Sequence, residues 1–191
     1  MHVLSRVFVV IGIIGSVALP AEAADGPRAD IALGYSLIYD HDIKTTFPAG
    51  WFAGAAVNVT NAFALAGEVS GDYKSESASV GNTTANATLN VYSYMAGPRL
   101  VSGTGAARIF VEILAGGATV SGGLSVTNAR SAFLSNTSQT DFCYMPGAGI
   151  DIGFNSRTAM RLAAGERFIR VSGGTSNEFQ FVAGLVFRFD K

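Results

Sequence analysis

The sequence predicts an all-β protein, an eight-stranded, antiparallel, up-and-down transmembrane β-barrel. Two observations predict it. Segments of roughly ten residues alternate in polarity with a period of two along the chain, the spacing that sends successive strand side chains to opposite faces. In most of these segments the bulky apolar residues share one face, while Gly, Ala, Ser and the ionised groups share the other. Composition agrees. Of 191 residues, 23 are Gly, 14% are charged and 49% are hydrophobic. A disordered chain would be charged and poor in apolar residues, and a helical bundle would lose about 1 kcal/mol at each interior Gly. A formal net charge of −1 offers no basic surface for nucleic acid. The single cysteine, Cys143, rules out an intramolecular disulfide and a cysteine-rich metal site.

The first residues read as an address. Met1–Arg6 is short and ends in a cation, Val7–Leu19 is an unbroken run of apolar and small residues, and Pro20 precedes Ala21-Glu22-Ala23. This is the three-part pattern of a secretory signal peptide. Residues 1–23 are therefore expected to be removed after Ala23, leaving 24–191 as the barrel. As a helix, Val7–Leu19 would rise about 20 Å, short of a hydrocarbon core of about 30 Å. No later segment approaches the ~18 consecutive apolar residues of a membrane helix, so a closed barrel is the remaining way to span.

Eight strands follow in order. Ile31–Tyr39 places Ile31, Leu33, Tyr35, Leu37 and Tyr39 opposite Ala32, Gly34 and Ser36. Gly50–Val59 places Trp51, Ala53, Ala55, Val57 and Val59 opposite Gly54 and Asn58. Phe63–Tyr73 sets Phe63, Leu65, Gly67, Val69 and Tyr73 against Glu68 and Asp72. Thr88–Val101 holds Tyr92, Tyr94 and Arg99, but its phase is ambiguous around Gly97-Pro98, a position that suits a bulge. Arg108–Thr119 sets Ile109, Val111, Ile113 and Ala115 against Arg108, Phe110 and Glu112. Asp141–Phe154 sets Phe142, Tyr144, Ala148, Ile150, Ile152 and Phe154 against Gly147, Gly149 and Asp151. Thr158–Phe168 sets Met160, Leu162, Ala164 and Phe168 against Arg161, Ala163, Gly165 and Arg167. The last, Glu178–Phe189, is the cleanest: Phe179, Phe181, Ala183, Leu185, Phe187 and Phe189 oppose Glu178, Gln180, Val182, Gly184, Val186 and Arg188.

Connections alternate in length. Asp40–Ala49, Lys74–Ala87, Val120–Thr140 and Arg170–Asn177 read as longer polar loops. Tight turns are expected at Thr60-Asn61, Ser102–Gly105 and Asn155–Arg157. One elaborated rim and one plain rim are what an up-and-down barrel requires. Ser75–Ala87, rich in Ser, Asn, Thr and Gly, reads as a solvated, mobile part of the elaborated rim.

Volume decides which face points out. Eight strands enclose only enough room for packed side chains. The numerous Phe, Tyr and Leu side chains would not fit there, whereas Gly, Ala and Ser would, so the apolar faces meet lipid. The charges agree, because a lipid-facing Arg at the bilayer midplane costs about 2–4 kcal/mol. Glu68, Arg99, Arg108, Glu112, Asp151, Arg161 and Arg188 are accordingly expected to form a charge network in the lumen. Such a network serves either as a permanent plug of ion pairs or as a gate or proton path, and the plug is the simpler reading. Tyr35, Tyr39, Trp51, Tyr73, Phe142, Tyr144, Phe168, Phe187 and Phe189, near strand ends, are candidates for interfacial girdles.

Gly184-Leu185-Val186-Phe187-Arg188-Phe189 resembles the terminal-strand signal of bacterial outer-membrane barrels: Gly, two residues, an aromatic, any residue, an aromatic. Two departures stand out, Val182 at a usually polar position and Asp190-Lys191 after the last aromatic. With the leader and the eight strands, the chain is similar to the small outer-membrane β-barrel domains of the OmpA-barrel and OmpX type. The resemblance implies that Gly184, Phe187 and Phe189 act as an assembly signal read by the barrel-assembly machinery. It also implies periplasmic chaperones during biogenesis, both termini in the periplasm, long loops outside, and outer-membrane lipids as the surroundings of a monomer.

Some barrels of this kind modify lipids, and such chemistry needs a histidine base within reach of a nucleophile. His41 is the only histidine after Ala23 and stands between Asp40 and Asp42; His41-Asp42-Ile43 does not match the His-x-Ser pair of the lipid A deacylase barrels. Asp40, His41 and Asp42 could hold a cation, but adjacent carboxylates are usually only solvated. Cys143 has neither His nor Lys beside it to lower its pKa and reads as a small buried or lumen-facing filler. Gly116-Gly117 and Gly122-Gly123 lack the following helix of a phosphate loop. No cofactor and no enzymatic activity are expected. The leading expectation is a small barrel with a filled lumen and a structural or surface-interaction role. The alternatives are a pore for small solutes or ions, a lipid-modifying enzyme, and a soluble lipocalin-like barrel.

Overall fold

The computed structural model describes residues 28–103, 106–127 and 132–189. The leader, with the cleavage expected after Ala23, lies outside them. Nine strands run in chain order: β1 (Ala29–Asp40), β2 (Thr45–Phe47), β3 (Ala49–Asn58), β4 (Phe63–Val80), β5 (Thr83–Ser102), β6 (Ala107–Thr127), β7 (Ala132–Gly153), β8 (Thr158–Val171) and β9 (Gly174–Phe189). They form one antiparallel sheet that the pairing of β1 with β9 closes into a barrel. β2 and β3 are one stave broken at Pro48. Tyr35 pairs with Trp51 of β3, whereas Ile38 pairs with Phe47 of β2, so the second stave carries one extra residue between those pairs. That is a β-bulge, a position that accepts a proline because no ladder N–H is needed there. Counted by staves, the barrel has the eight strands that the alternation predicts.

The register fixes the shape. From Asp30 it runs through Ala56, Ala66, Gly97, Leu114, Met145, Arg167 and Glu178 and returns to β1 at Asp40, ten residues above its start. With eight strands, this offset tilts the staves by roughly 40° and leaves an interior that side chains fill. The closing seam is tight where Gly34 pairs with Gly184. A Cβ on Gly184 would lie 2.9 Å from the Leu33 carbonyl carbon and 3.0 Å from the Gly34 Cα. Gly184 thus has a packing reason of its own, whatever reads the strand during assembly. Gly184→Val is expected to cost about 1–3 kcal/mol by overpacking this seam, seen as a lower urea midpoint of the refolded barrel.

The start of β1, the end of β9, the short turns at residues 59–62 and 154–157, and the adjoining ends of β5 and β6 share one end, while the turn expected at Ser102–Gly105 lies partly outside the described residues. The other end departs from expectation. Lys74–Ala87 and Val120–Thr140, read as loops, are mostly strand. β4 and β5 stay paired to Val80 and Thr83 around a two-residue turn, and β6 and β7 stay paired to Thr127 and Ala132. Gly81 takes φ 58° as the first turn residue, as a type II′ hairpin turn demands. Arg170–Asn177 likewise turns only at Ser172-Gly173, and Asp40–Ala49 contains β2. The Ser, Thr and Asn residues suggested loops, but they alternate with Ala, Val and Leu, and cross-strand pairing outweighs their weak strand propensity. Ser75–Ala87 is therefore an ordered hairpin rather than a mobile rim. Nor is there a bulge at Gly97-Pro98: β5 keeps one register on each side of that point. Pro98 only interrupts the ladder towards β6, and Arg99 stays inward with Leu100 outward.

Burial shows an inside-out protein. Ile31, Leu33, Leu65, Ile109, Ile113 and Leu185 are exposed around the barrel wall, while Arg99, Arg108, Glu112, Asp151, Arg161 and Arg188 are buried inside. Phe52 and Phe110 also point inward, so the lumen accepts a few rings among its small residues. Exposed apolar area on this scale marks an interface rather than a water-facing surface. On β9 the outward aromatics run from Phe179 to Phe189. Ten residues at about 3.3 Å each and roughly 40° of tilt rise about 25 Å, the height of the apolar band of outer-membrane barrels.

Candidate functional site

The lumen is built from the strand faces that carry small residues. Alternation places Asp30 of β1, Arg99 of β5, Phe110 and Glu112 of β6, Asp151 of β7 and Arg161 of β8 inward near the short-turn end. Arg161 grips Asp151 with two parallel hydrogen bonds, Nε to Oδ1 at 2.8 Å and Nη2 to Oδ2 at 2.9 Å. Such a fork is the strongest form of carboxylate recognition. The same Nη2 reaches Asp30 Oδ1 at 3.2 Å, and Arg99 Nη1 lies 3.8 Å from that oxygen. Arg99 Nε in turn donates to Glu112 Oε2 at 2.7 Å. The result is a chain of alternating charge, Glu112–Arg99–Asp30–Arg161–Asp151. Both guanidinium groups flank the ring of Phe110, at 4.4 and 4.9 Å from its centroid, where the ring's negative face favours a cation.

A second group lies higher. Arg167 Nε donates to Glu178 Oε2 at 2.9 Å, and the Arg167 side chain is fully buried. Gln180 Nε2 donates to Ser36 Oγ at 3.1 Å, and Ser70 and Ser93 share a hydrogen bond at 2.9 Å. Between the groups, Glu68, Glu112, Gln180 and Met145 line a cavity of about 10 Å³, at the lower limit of what holds one water. Above them, Ile38, Phe47 and Val91 form a buried apolar cluster joined by Leu89 and Val120.

All seven residues expected in the lumen are buried on the inner face. The structure brings Arg99, Glu112, Asp151 and Arg161 into one ion-pair chain and buries Glu68, Arg108 and Arg188 around it. Sequence reasoning missed Asp30, Arg167 and Glu178. Arg167 and Glu178 were legible, since each occupies the polar phase of its strand. Asp30 lay one residue before the expected start of its strand and joins the inward row only because β1 begins at Ala29.

Outward, Trp51 Nε1 donates to the Tyr73 hydroxyl at 2.9 Å, the Tyr73 and Tyr92 rings meet edge to face at 5.7 Å, and Tyr144 stacks on Phe168 at 4.9 Å. The Tyr35 hydroxyl donates to the Pro48 carbonyl. These rings, exposed or half-buried and with the tips of Tyr35 and Trp51 hydrogen-bonded, form a belt where the strands leave the apolar band, the place of an interfacial girdle. Phe187 and Phe189 lie outward at the opposite end.

His41 stands in the turn after β1, its ring edge-on to Tyr39 at 5.1 Å. Asp40 Oδ1 accepts from the backbone N–H groups of Asp42 and Ile43, an Asx turn that uses the carboxylate locally. Among the described residues no cluster of three or more His, Cys, Asp or Glu could hold a metal. Cys143 is fully buried and faces inward at the middle of β7. Gly116 to Gly123 all lie within β6.

Comparison with solved structures places this geometry. The crystal structure of Ail, the attachment invasion locus protein of Yersinia pestis, superposes with a TM-score of 0.58 at 15% identity, covering 85% of this chain and 99% of that one. Ail in complex with the heparin analogue sucrose octasulfate gives 0.59 at 14% identity, with the same coverage. Neisserial surface protein A gives 0.49 at 10% identity, covering 84% of this chain and 96% of that one. No curated protein matches the chain in sequence. The sequence does match, over residues 7–189, the family described as outer membrane protein beta-barrel domain, and with nearly its whole length inside that match the chain belongs to this family.

Proposed function

We propose that the protein is a monomeric, non-enzymatic barrel of the bacterial outer membrane, with a lumen closed by its own side chains and the β4–β7 hairpins as a surface for interaction. In this reading residues 1–23 direct export and are cleaved, and both termini face the periplasm. The barrel-assembly machinery reads the last strand through Gly184, Phe187 and Phe189, with periplasmic chaperones escorting the chain. One observation carries it: a barrel with its apolar residues exposed and its charges buried and paired along the axis. A stable aqueous file would need a continuous polar void, whereas the mid-lumen cavity is about 10 Å³. The interaction role draws support from the fold shared with Ail and from hairpins that stand clear of the apolar band.

Planar-bilayer recording tests the closed lumen. The refolded protein is expected to give no large, stable single-channel steps, and reproducible steps would favour the pore. Protease added to intact cells is expected to cut the β4–β5 and β6–β7 hairpins and spare the turns at 59–62 and 154–157. Cutting at those turns instead would reverse the orientation.

A further inference from the structure

We propose that the outward face of β5–β7, just above the aromatic belt, binds the uncharged sugar units of glycolipid headgroups in the adjoining leaflet. This deepens the surface role proposed above and rests on that reading's placement of the hairpins outside the membrane.

The observation behind it is a change of surface along continuous strands. Below the belt the outward face carries rings and branched aliphatic chains. From Ser75 on β4, Asn90 on β5, Thr119 on β6 and Thr140 on β7 upward, the same face carries Ser, Thr, Asn and Gly, with Leu134 the exception. Cross-strand pairs show that these side chains share a face: Ser77 with Asn86 at 2.6 Å, Thr119 with Thr140 at 2.8 Å and Ser121 with Ser138 at 3.1 Å. Among the described residues this outward face holds no ionised group; Lys74, Glu76 and Asp141 lie in the opposite phase of their strands. The face is continuous with the lipid-facing wall, so what lies against it is the headgroup layer of the same leaflet.

The face is not flat there. A groove of about 350 Å³ is bounded by Thr88, Asn90, Ser121, Asn136 and Ser138, with Gly122-Gly123 as its floor. Gly123 keeps it open, because a Cβ there would stand 2.7 Å from Thr88 Oγ1 and 3.0 Å from Asn136 Oδ1. The walls offer hydroxyls and two carboxamides, groups that both donate and accept. A sugar ring with several hydroxyls matches that set. A phosphate or sulfate would meet no cation, although charge-assisted partners are what bind such groups strongly. An acyl chain would meet no apolar wall. Tyr92, two residues below Asn90 and 39% exposed, adds a ring for the C–H face of a sugar at the lower lip.

The test uses the mature barrel in nanodiscs of phosphatidylcholine, alone or with a dihexosyl diacylglycerol. Amide resonances of Gly122, Gly123 and Asn136 report occupancy of the groove. Saturable shifts confined to the β5–β7 extension are expected with the glycolipid and not with phosphatidylglycerol. Gly123→Val and Asn136→Ala should each weaken the response about tenfold while the heat-modifiable gel mobility stays unchanged. Three results overturn the proposal: no saturable shift with glycolipid, an equal response in Gly123→Val, or equal shifts with phosphatidylglycerol. A soluble dihexoside that binds as tightly as the glycolipid would also overturn it, because the leaflet would then not be the source. Protease mapping of the same discs separates the two levels. Hairpins on the expected side that bind nothing refute the sugar site alone, whereas hairpins on the wrong side refute the reading beneath it.

Discussion

Arg161→Ala is expected to destabilise the refolded barrel by about 3–5 kcal/mol, the cost of removing one partner from a buried ion pair. The substitution strips Asp151 of both its hydrogen bonds from Arg161 and takes from Asp30 its 3.2 Å contact with Arg161, leaving the 3.8 Å approach of Arg99 and the more distant charge of Arg108. Both carboxylates are 3% exposed, so water cannot take over. One of the two cations beside Phe110 is lost as well. Urea unfolding in lipid vesicles, followed by gel mobility without boiling, measures the loss. The companion variant combines Arg161→Met with Asp151→Asn, which removes one charge of each sign and keeps Asp30 opposite Arg99 and Arg108. It should recover most of the stability, because the penalty comes from charges left unpaired and not from the absence of the pair. A loss below about 1 kcal/mol in Arg161→Ala would mean that water reaches the chain of charges, and the closed lumen would fail with it.

The phase of every strand but the fourth was legible, and the partners of the charges were not; in Thr88–Val101 the Gly97-Pro98 pair hid a register that the structure shows to be continuous. Glu178–Phe189 declares its two faces in the sequence, and so does Thr158–Phe168, which is why Arg161 and Arg188 could be sent inward. Pairing depends on the barrel's register. Asp30 and Arg99 sit on β1 and β5, on opposite sides of the lumen, and meet only because the interior is narrow enough for side chains to cross it. No spacing along the chain encodes that distance. The hairpin extensions were lost for another reason. Ser, Thr and Asn favour turns when their local backbone bonds win, and only pairing with neighbouring strands shows that here they do not. Pro48 hid β2 in the same way. A proline reads as the end of a strand, whereas here it is the extra residue of a bulge within one stave.

Leu185→Arg and Leu124→Arg should separate sharply, although the two leucines look alike by accessibility, 50% and 43% exposed. Leu185 lies on the outward face of β9, paired with Leu33 and Met160, about midway between Phe179 and Phe189. In a bilayer an arginine there is forced against hydrocarbon, at a cost of about 2–4 kcal/mol. Leu124 sits on β6 above the belt, on the inner face of the extension, paired with Ala87 and Ser135. An arginine there reaches water, and the change should stay within about 0.5 kcal/mol, as for surface positions free of special contacts. Urea unfolding of both variants in the same vesicles makes the comparison, with far-UV circular dichroism to confirm the strand content of each. The contrast depends on hydrocarbon outside the wall at Leu185 and water inside the extension at Leu124, because the two sites hardly differ in burial. Equal losses at both positions would mean that water does not reach the inner face of the extension, and a negligible loss at Leu185 would take the wall of the barrel out of the membrane.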